Sequence, residues 1–354
     1  MISQPRNYTF AGLALGCALL LFIAAPRTAE SQSGRQKGPS PSPTPKSNGR
    51  SQSTKTSPAQ RPSLPNETSA DDGEDVVRVT SHLVPVPTTV LNARGTAITN
   101  LRLEDFELNI DGQPKPISDL TRADTPVRMA MLFDNSGSLS ESRDFEKRAA
   151  ERFFSNVMRP GDQAAIYSVA TSIELAQPMT GDVAQLQRTI ESFARPEGAT
   201  SLYDAIFDAL KYLKPYPGRR VIVIVSDGRD TTSNYEHDFE STLQRLMSDE
   251  CQVYAVQTGI YDNANVRDLA AERRMQEFAA QTGGSAYTPR TLQDLDDAFA
   301  QISADLAQQY ILSYYPGEDK RDGKYHLIAV RVKGQPAARI RARKGFMVKT
   351  RARV

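Results

Sequence analysis

Asp134, Ser136 and Ser138 in FDNSGS, Thr200 in GATSLYDAI and Asp227 in VIVIVSDG are five oxygen-bearing side chains at the ends of three hydrophobic segments. Together they offer hydroxyl and carboxylate oxygen, the donor set preferred by a hard divalent cation: Mg²⁺ first, with Mn²⁺ or Ca²⁺ as alternatives. The two carboxylates could balance the charge of such an ion, and the Ser and Thr hydroxyls would add neutral ligands. A compact octahedral ion held this way keeps waters or accepts an outside oxygen. An acidic side chain of a protein partner could take that open position, which is the chemistry of metal-bridged adhesion.

Local capping accounts for some of the same residues. Ser138 with Glu141 fits a capping box, Ser136 could cap the same helix, and Thr200 or Ser201 could cap another. Asp227-Gly228 is also a common turn pair. Catalytic alternatives find less support. Ser136 lacks a G-x-S-x-G elbow, and the three histidines, His82, His237 and His326, are singletons without H-E-x-x-H spacing. Asp204 and Asp208 fall four apart on one helix, where a solvated face is the simpler reading than an acid–base pair. The expectation is a binding protein, not an enzyme.

The elements that must position these residues follow from periodicity. From Thr125 onward, VRMAMLFD, QAAIYSVAT, RRVIVIVSD and CQVYAVQTG are short apolar runs, and Val221 to Val225 is apolar at every position, as in a strand covered on both faces. Helical patterns lie between them at roughly Glu141 to Val157, Ser201 to Leu213, Tyr235 to Asp249 and Val266 to Gln281, with another near Leu292 to Gln308. IELAQPMT fits an antiparallel edge strand that tolerates Pro178. These alternations predict an α/β fold: a doubly wound, mostly parallel sheet with helices on both faces, spanning 124–309. Ligands of such sheets bind beyond the carboxyl ends of the strands, where Asp134 and Asp227 fall.

Residues 76–123 and 310–354 read differently. DVVRVTSHLVPVPTTVLN alternates at period two, and LEDFELNIDGQPKPISDL has two strand-like halves around Asp111-Gly112. This unit is too short for a core of its own, and YILSYYP, KYHLIAVRV and ARIRARKGFMV are its natural partners. The two flanks should therefore form a small β-rich lobe. In the C-terminal segment Arg339, Arg341 and Arg343 alternate on one strand face, followed by Lys344, Lys349, Arg351 and Arg353. A charged, solvated strand edge is the leading reading, with an anion-binding face as the alternative.

The N-terminus speaks of location. Arg6, an apolar run from about Phe10 to Ala25, and the small residues ending it describe a signal peptide within 1–27, or a membrane anchor if it stays uncleaved. Residues 28–75 are rich in Ser, Pro, Gly, Gln, Lys and Thr, a composition expected to form a disordered linker. The protein should be extracytoplasmic: secreted or periplasmic, or held at the membrane by its N-terminus. With 43 basic against 42 acidic residues, the net charge of +1 gives no field that would favour nucleic acid. Of the two cysteines, Cys17 lies in the export segment, which leaves Cys251 alone beside an apolar run as a buried, inert thiol.

The D-x-S-x-S spacing of Asp134, Ser136 and Ser138, the Thr200 that precedes LYDA, and Asp227 after an apolar strand resemble the metal-ion-dependent adhesion site of von Willebrand factor type A domains. This likeness covers about residues 126–309. More loosely, 76–350 resembles bacterial exported proteins described as VWFA-related, through LVPVPTTV and LEDFELNIDG before the domain and YILSYYP and IRARKGF after it. The resemblance implies a metal-dependent, protein-binding adhesion module with Ser136, Ser138 and Thr200 as direct ligands, and with Asp134 and Asp227 bound directly or through water. A scaffold of an envelope assembly, using the β lobe independently of metal, is the alternative.

Overall fold

The computed structural model describes residues 83–122, 125–137, 143–194, 197–258, 268–317 and 322–347, and the features given below are those of these residues. The export segment and linker expected within 1–75, His82, Ser138 and Glu141, and the tail from residue 348 lie outside them. The chain opens with β1 (Val84–Leu91), β2 (Phe106–Ile110), β3 (Gln113–Lys115) and β4 (Asp119–Arg122). The α/β portion follows as β5 (Val127–Asp134), α1 (Arg143–Val157), β6 (Gln163–Val169), β7 (Ile173–Thr180), α2 (Val183–Ser192), α3 (Leu202–Leu213) and β8 (Arg219–Ser226). It continues through α4 (Phe239–Ser248), β9 (Gln252–Gln257), α5 (Leu269–Thr282), β10 (Ala286–Tyr287) and α6 (Leu292–Gln308). Four strands close the chain: β11 (Tyr310–Tyr314), β12 (Tyr325–Val332), β13 (Arg339–Ala342) and β14 (Gly345–Met347).

The central sheet has the order β10-β9-β8-β5-β6-β7 and is parallel apart from β7, which runs antiparallel at the edge. That edge carries Pro178, as its sequence predicts. Alternate residues of β5 face different layers: Met129, Met131 and Phe133 join Phe153 of α1 and Phe299 of α6, while Ala130 and Leu132 join Leu202, Ile206 and Leu210 of α3. Both faces are buried, so a continuous apolar run is what the strand needs. The doubly wound reading holds, and α6 has the predicted bounds. Helix α4 starts at Phe239, later than the pattern suggests, because Asp238 caps it by accepting from Ser241 N at 2.8 Å.

The flanks do combine into a second, β-rich lobe. One sheet has the order β13-β1-β11-β4 and the other β14-β12-β2-β3, so each mixes strands from both ends of the chain. They enclose a common core in which Val86, Leu108, Ile110, Leu312, Tyr314 and Phe346 are buried. Asp111 and Gly112 adopt φ of 51° and 78°, the left-handed pair of a tight hairpin, and set Ile110 opposite Gln113.

The arginine expectation needs correction. Arg341 reaches the buried Asp305 of α6, with both carboxylate oxygens 2.7 Å from its Nη2. Arg343 is buried against Glu250 at 3.3 Å and donates to the Gly345 carbonyl at 2.8 Å. Only Arg339 of the three is exposed. The face is therefore not a row of three solvated or anion-binding arginines: Arg341 of β13 and Arg343 just beyond it are committed to Asp305 and Glu250, which leaves Arg339 in solvent.

Among the described residues no helix is long and apolar enough to cross a membrane. Cys251 is buried as expected, and burial pushes its thiol up to about 12. At pH 8 only about one molecule in 10⁴ would carry the reactive thiolate. A thiol reagent should therefore label Cys251 in the native protein no faster than global unfolding allows, and in denaturant within the mixing time. Prompt native labelling would contradict this burial.

Candidate metal centre

The parallel register places the first acidic residue of the site. Phe133 of β5 pairs with Val225 of β8, so the next residue on each strand, Asp134 and Ser226, meet side by side. Ser226 Oγ donates to Asp134 Oδ2 at 2.5 Å, and Ser136 N donates to Oδ1 at 2.9 Å. Strand β5 connects onward to β6 on one side while β8 lies on its other side. The crevice beyond their carboxyl ends is thus the switch point at which open α/β sheets bind ligands.

Asp134 is 1% exposed and its carboxyl is held above the ordinary range, first by burial and also by the nearby charge of Asp227. Hydrogen bonds from Ser136 and Ser226 oppose that shift without cancelling it. Asp227 continues β8 and is 3% exposed; its Oδ1 accepts from Arg229 N at 3.0 Å. Arg229 Nε stands 4.0 Å from Asp227 and 3.7 Å from Asp268. The two carboxylates are thus buried at adjoining strand ends with the Arg229 guanidinium at the edge of ion-pair range, a place where a cation would favour the charged form of Asp134.

Thr200 is brought in by two sets of contacts. Gly137 N donates to Gly198 O at 3.2 Å, Glu197 N to Asn135 O at 3.0 Å and Ser201 N to Ala170 O at 3.0 Å, tying the 197–201 loop to the ends of β5 and β6. From the other side, Thr200 N donates to Thr231 Oγ1 at 2.9 Å, and its carbonyl accepts from Thr231 N and Thr232 N at 2.9 and 3.1 Å. Its hydroxyl makes no hydrogen bond among the described residues.

The capping alternatives for this loop do not describe it. Ser201 precedes α3 without capping it, and bonds instead to Thr171 O at 3.1 Å and Thr232 Oγ1 at 2.8 Å. The first turn of α3 is satisfied from the loop after β8: Tyr203 N donates to Asp230 Oδ1 at 3.1 Å and Asp204 N to Ser233 Oγ at 3.0 Å. Ser226, Asp230, Thr231 and Ser233 are supporting residues that spacing alone does not single out. Their signal was the unbroken polar run SDGRDTTSN.

Asp134, Ser136, Thr200 and Asp227 are thus all buried on the segments that border one crevice, and Ser138 lies outside the described residues. Their carboxylate and hydroxyl oxygens are the donor type a hard cation takes, while no group of three or more His, Cys, Asp or Glu side chains that could hold a metal ion occurs among the described residues. The other candidates are engaged elsewhere. His237 Nδ1 lies 2.5 Å from Asp204 and its ring stacks on Phe207 at 3.8 Å. Asp204 therefore does not sit on a solvated face. His326 is buried between Asp111 at 2.9 Å and Asp322 at 3.0 Å.

Comparison with known proteins adds the following. The family model of the von Willebrand factor type A domain matches residues 129–229. An aerotolerance-related membrane protein from Bacteroides fragilis is similar at 20% identity, over 50% of this chain and 98% of that one, with a TM-score of 0.40. BatB from Bacteroides thetaiotaomicron is 17% identical over 51% of this chain and 98% of that one, TM-score 0.37. A von Willebrand factor type A protein from Catenulispora acidiphila is 11% identical over 78% and 76% of the two chains, TM-score 0.43. No curated protein matches the chain. The family match runs from within β5 to just past β8, the strands that flank the switch point, and on that ground residues 129–229 of this chain are identified as von Willebrand factor type A.

Proposed function

We propose that this domain is a metal-dependent adhesion module acting outside the cytoplasm, in which a divalent cation, Mg²⁺ first, links the site to a carboxylate of a protein partner. The observation that supports it most is the buried Asp134 carboxylate, held above its ordinary range by burial and by Asp227 at adjoining strand ends. Asp134 and Asp227 would supply the charge, directly or through water. Ser136, Thr200 and, by its spacing in the sequence, Ser138 would supply hydroxyl oxygen. When bound, the cation supplies a Lewis-acidic position for the partner's oxygen.

The hydrogen bonds already present do the positioning. Ser226 and Ser136 N fix both oxygens of Asp134, and the Thr231 and Thr232 contacts fix the backbone of Thr200. Such pre-organisation lowers the ordering cost of binding.

Titrating Mg²⁺ or Mn²⁺ into the metal-free protein should raise its melting temperature. At a hundredfold excess over Kd the gain is about 2.7 kcal/mol, or roughly 5–10 °C for a domain of this size. Asp227→Ala should lose the gain entirely. Identical titrations for the two proteins would refute metal binding, and partner capture that ignores a chelator would refute metal-bridged adhesion even if the ion binds.

A further inference from the structure

A second site lies at the other end of the central sheet. A cavity of about 220 Å³ opens where the start of β8 meets the ends of α4 and α5 and the strands β1 and β11 of the β-rich lobe. The eight-residue length of β8 sets it about 23 Å from Asp227. Pro85, Leu246 and Ile311 give it apolar walls.

Its charge is unbalanced. Arg343 on the wall is matched by Glu250 at 3.3 Å. Arg220, also on the wall and half-buried, has neither a carboxylate nor a hydrogen-bond partner among the described residues. Its in-register neighbour on β5 is Arg128, another cation. Of the acids at the end of α4, Asp249 is taken by Arg245 and Glu250 by Arg343. A guanidinium left over beside apolar walls matches a monoanion carried on an apolar body, and the planar fork of arginine suits a carboxylate. The volume falls below the 300–1,000 Å³ or so of drug-sized sites, so the occupant is small.

We infer that this cavity is a binding site for a small apolar carboxylic acid, held by Arg220 at the seam between the type A domain and the β-rich lobe. Octanoate serves as the probe for the full chain, with octanamide and inorganic phosphate as controls. Octanoate should raise the melting temperature saturably and shift the methyl resonances of Leu246 and Ile311. Arg220→Met should weaken its binding roughly 10- to 100-fold, the usual worth of a charge-assisted hydrogen bond. Asp227→Ala should leave that response intact, which separates this site from the metal centre. An equal response to octanamide, an equal response to phosphate, or methyl shifts confined to other residues would each overturn the assignment. The methyl measurement uses the wild-type chain, so the test stands even where Arg220→Met fails to fold.

Discussion

Gly284→Ala should be among the most damaging single substitutions in the chain, lowering stability by at least about 3 kcal/mol, the upper range for overpacking. A Cβ at Gly284 would stand 1.9 Å from the Val253 carbonyl oxygen and 2.8 Å from its carbon, both backbone atoms of β9. Neither a rotamer change nor a small side-chain shift can relieve that contact. At Gly283, which caps α5 at φ 84°, a Cβ would stand 2.6 Å from Arg343 N and 2.9 Å from the Ala342 carbonyl carbon at the end of β13. The glycine pair is therefore where α5, β9 and the β-rich lobe come together. Denaturant melts of the Ala variant should show a lower midpoint, and a midpoint equal to wild type would mean that the seam is looser than described.

The second large effect is expected at Asp305. Arg341→Met removes the guanidinium that meets both oxygens of a carboxylate 1% exposed on α6. Stranding a buried charge costs about 3–5 kcal/mol. Burial already lifts the carboxyl of Asp305 above the ordinary value of 3.8, against the pull of Arg341. Its sign follows from linkage: a carboxyl raised on folding favours the native state below 3.8 and loses that contribution as pH climbs through the folded value. Without Arg341 the folded value rises further. The deficit of the variant should then be full at neutral pH and shrink on acidification, and a deficit independent of pH would show that Arg341 acts through packing alone. Glutamine 301, which donates to Asp305 at 3.1 Å, is unchanged in either case.

What could be read in the sequence was what short-range pattern encodes. The strands Val127–Asp134 and Arg219–Ser226 announce themselves because both faces are buried, and Leu292–Gln308 because its apolar stripe is wide and Thr291 caps it. Helix α2 escaped notice for the opposite reason: only Leu186 and Ile190 are fully buried along Val183–Ser192, too narrow a stripe among polar residues. The two-residue β10 is too short to carry any period. The arginine alternation in β13 was visible, but its meaning was not. What those side chains meet depends on Asp305 and Glu250, far away in the sequence.

The site divides in the same way. Asp134 and Asp227 were legible because an acid at the end of an apolar strand is uncommon and the fold dictates where such ends point. Thr200 was legible as one oxygen donor among the five, though nothing local distinguishes it from Ser201. The difference between them is tertiary: Ser201 turns back to Thr171, while Thr200 leaves its hydroxyl uncommitted among the described residues. Ser226, whose hydroxyl holds Asp134, looked like one more residue of a polar run.

The trans-capping of α3 has a consequence for how the chain assembles. Its first turn receives its acceptors from Asp230 and Ser233, 27 and 29 residues further along, beyond the whole of β8. Until β8 has inserted beside β5, those amides have no protein acceptor and the helix start is free to fray. Thr200, just upstream, is held by the same segment after β8. The shape of the crevice therefore depends on β8 lying beside β5, since that pairing brings the acceptors for α3 and the anchor for Thr200 into place together.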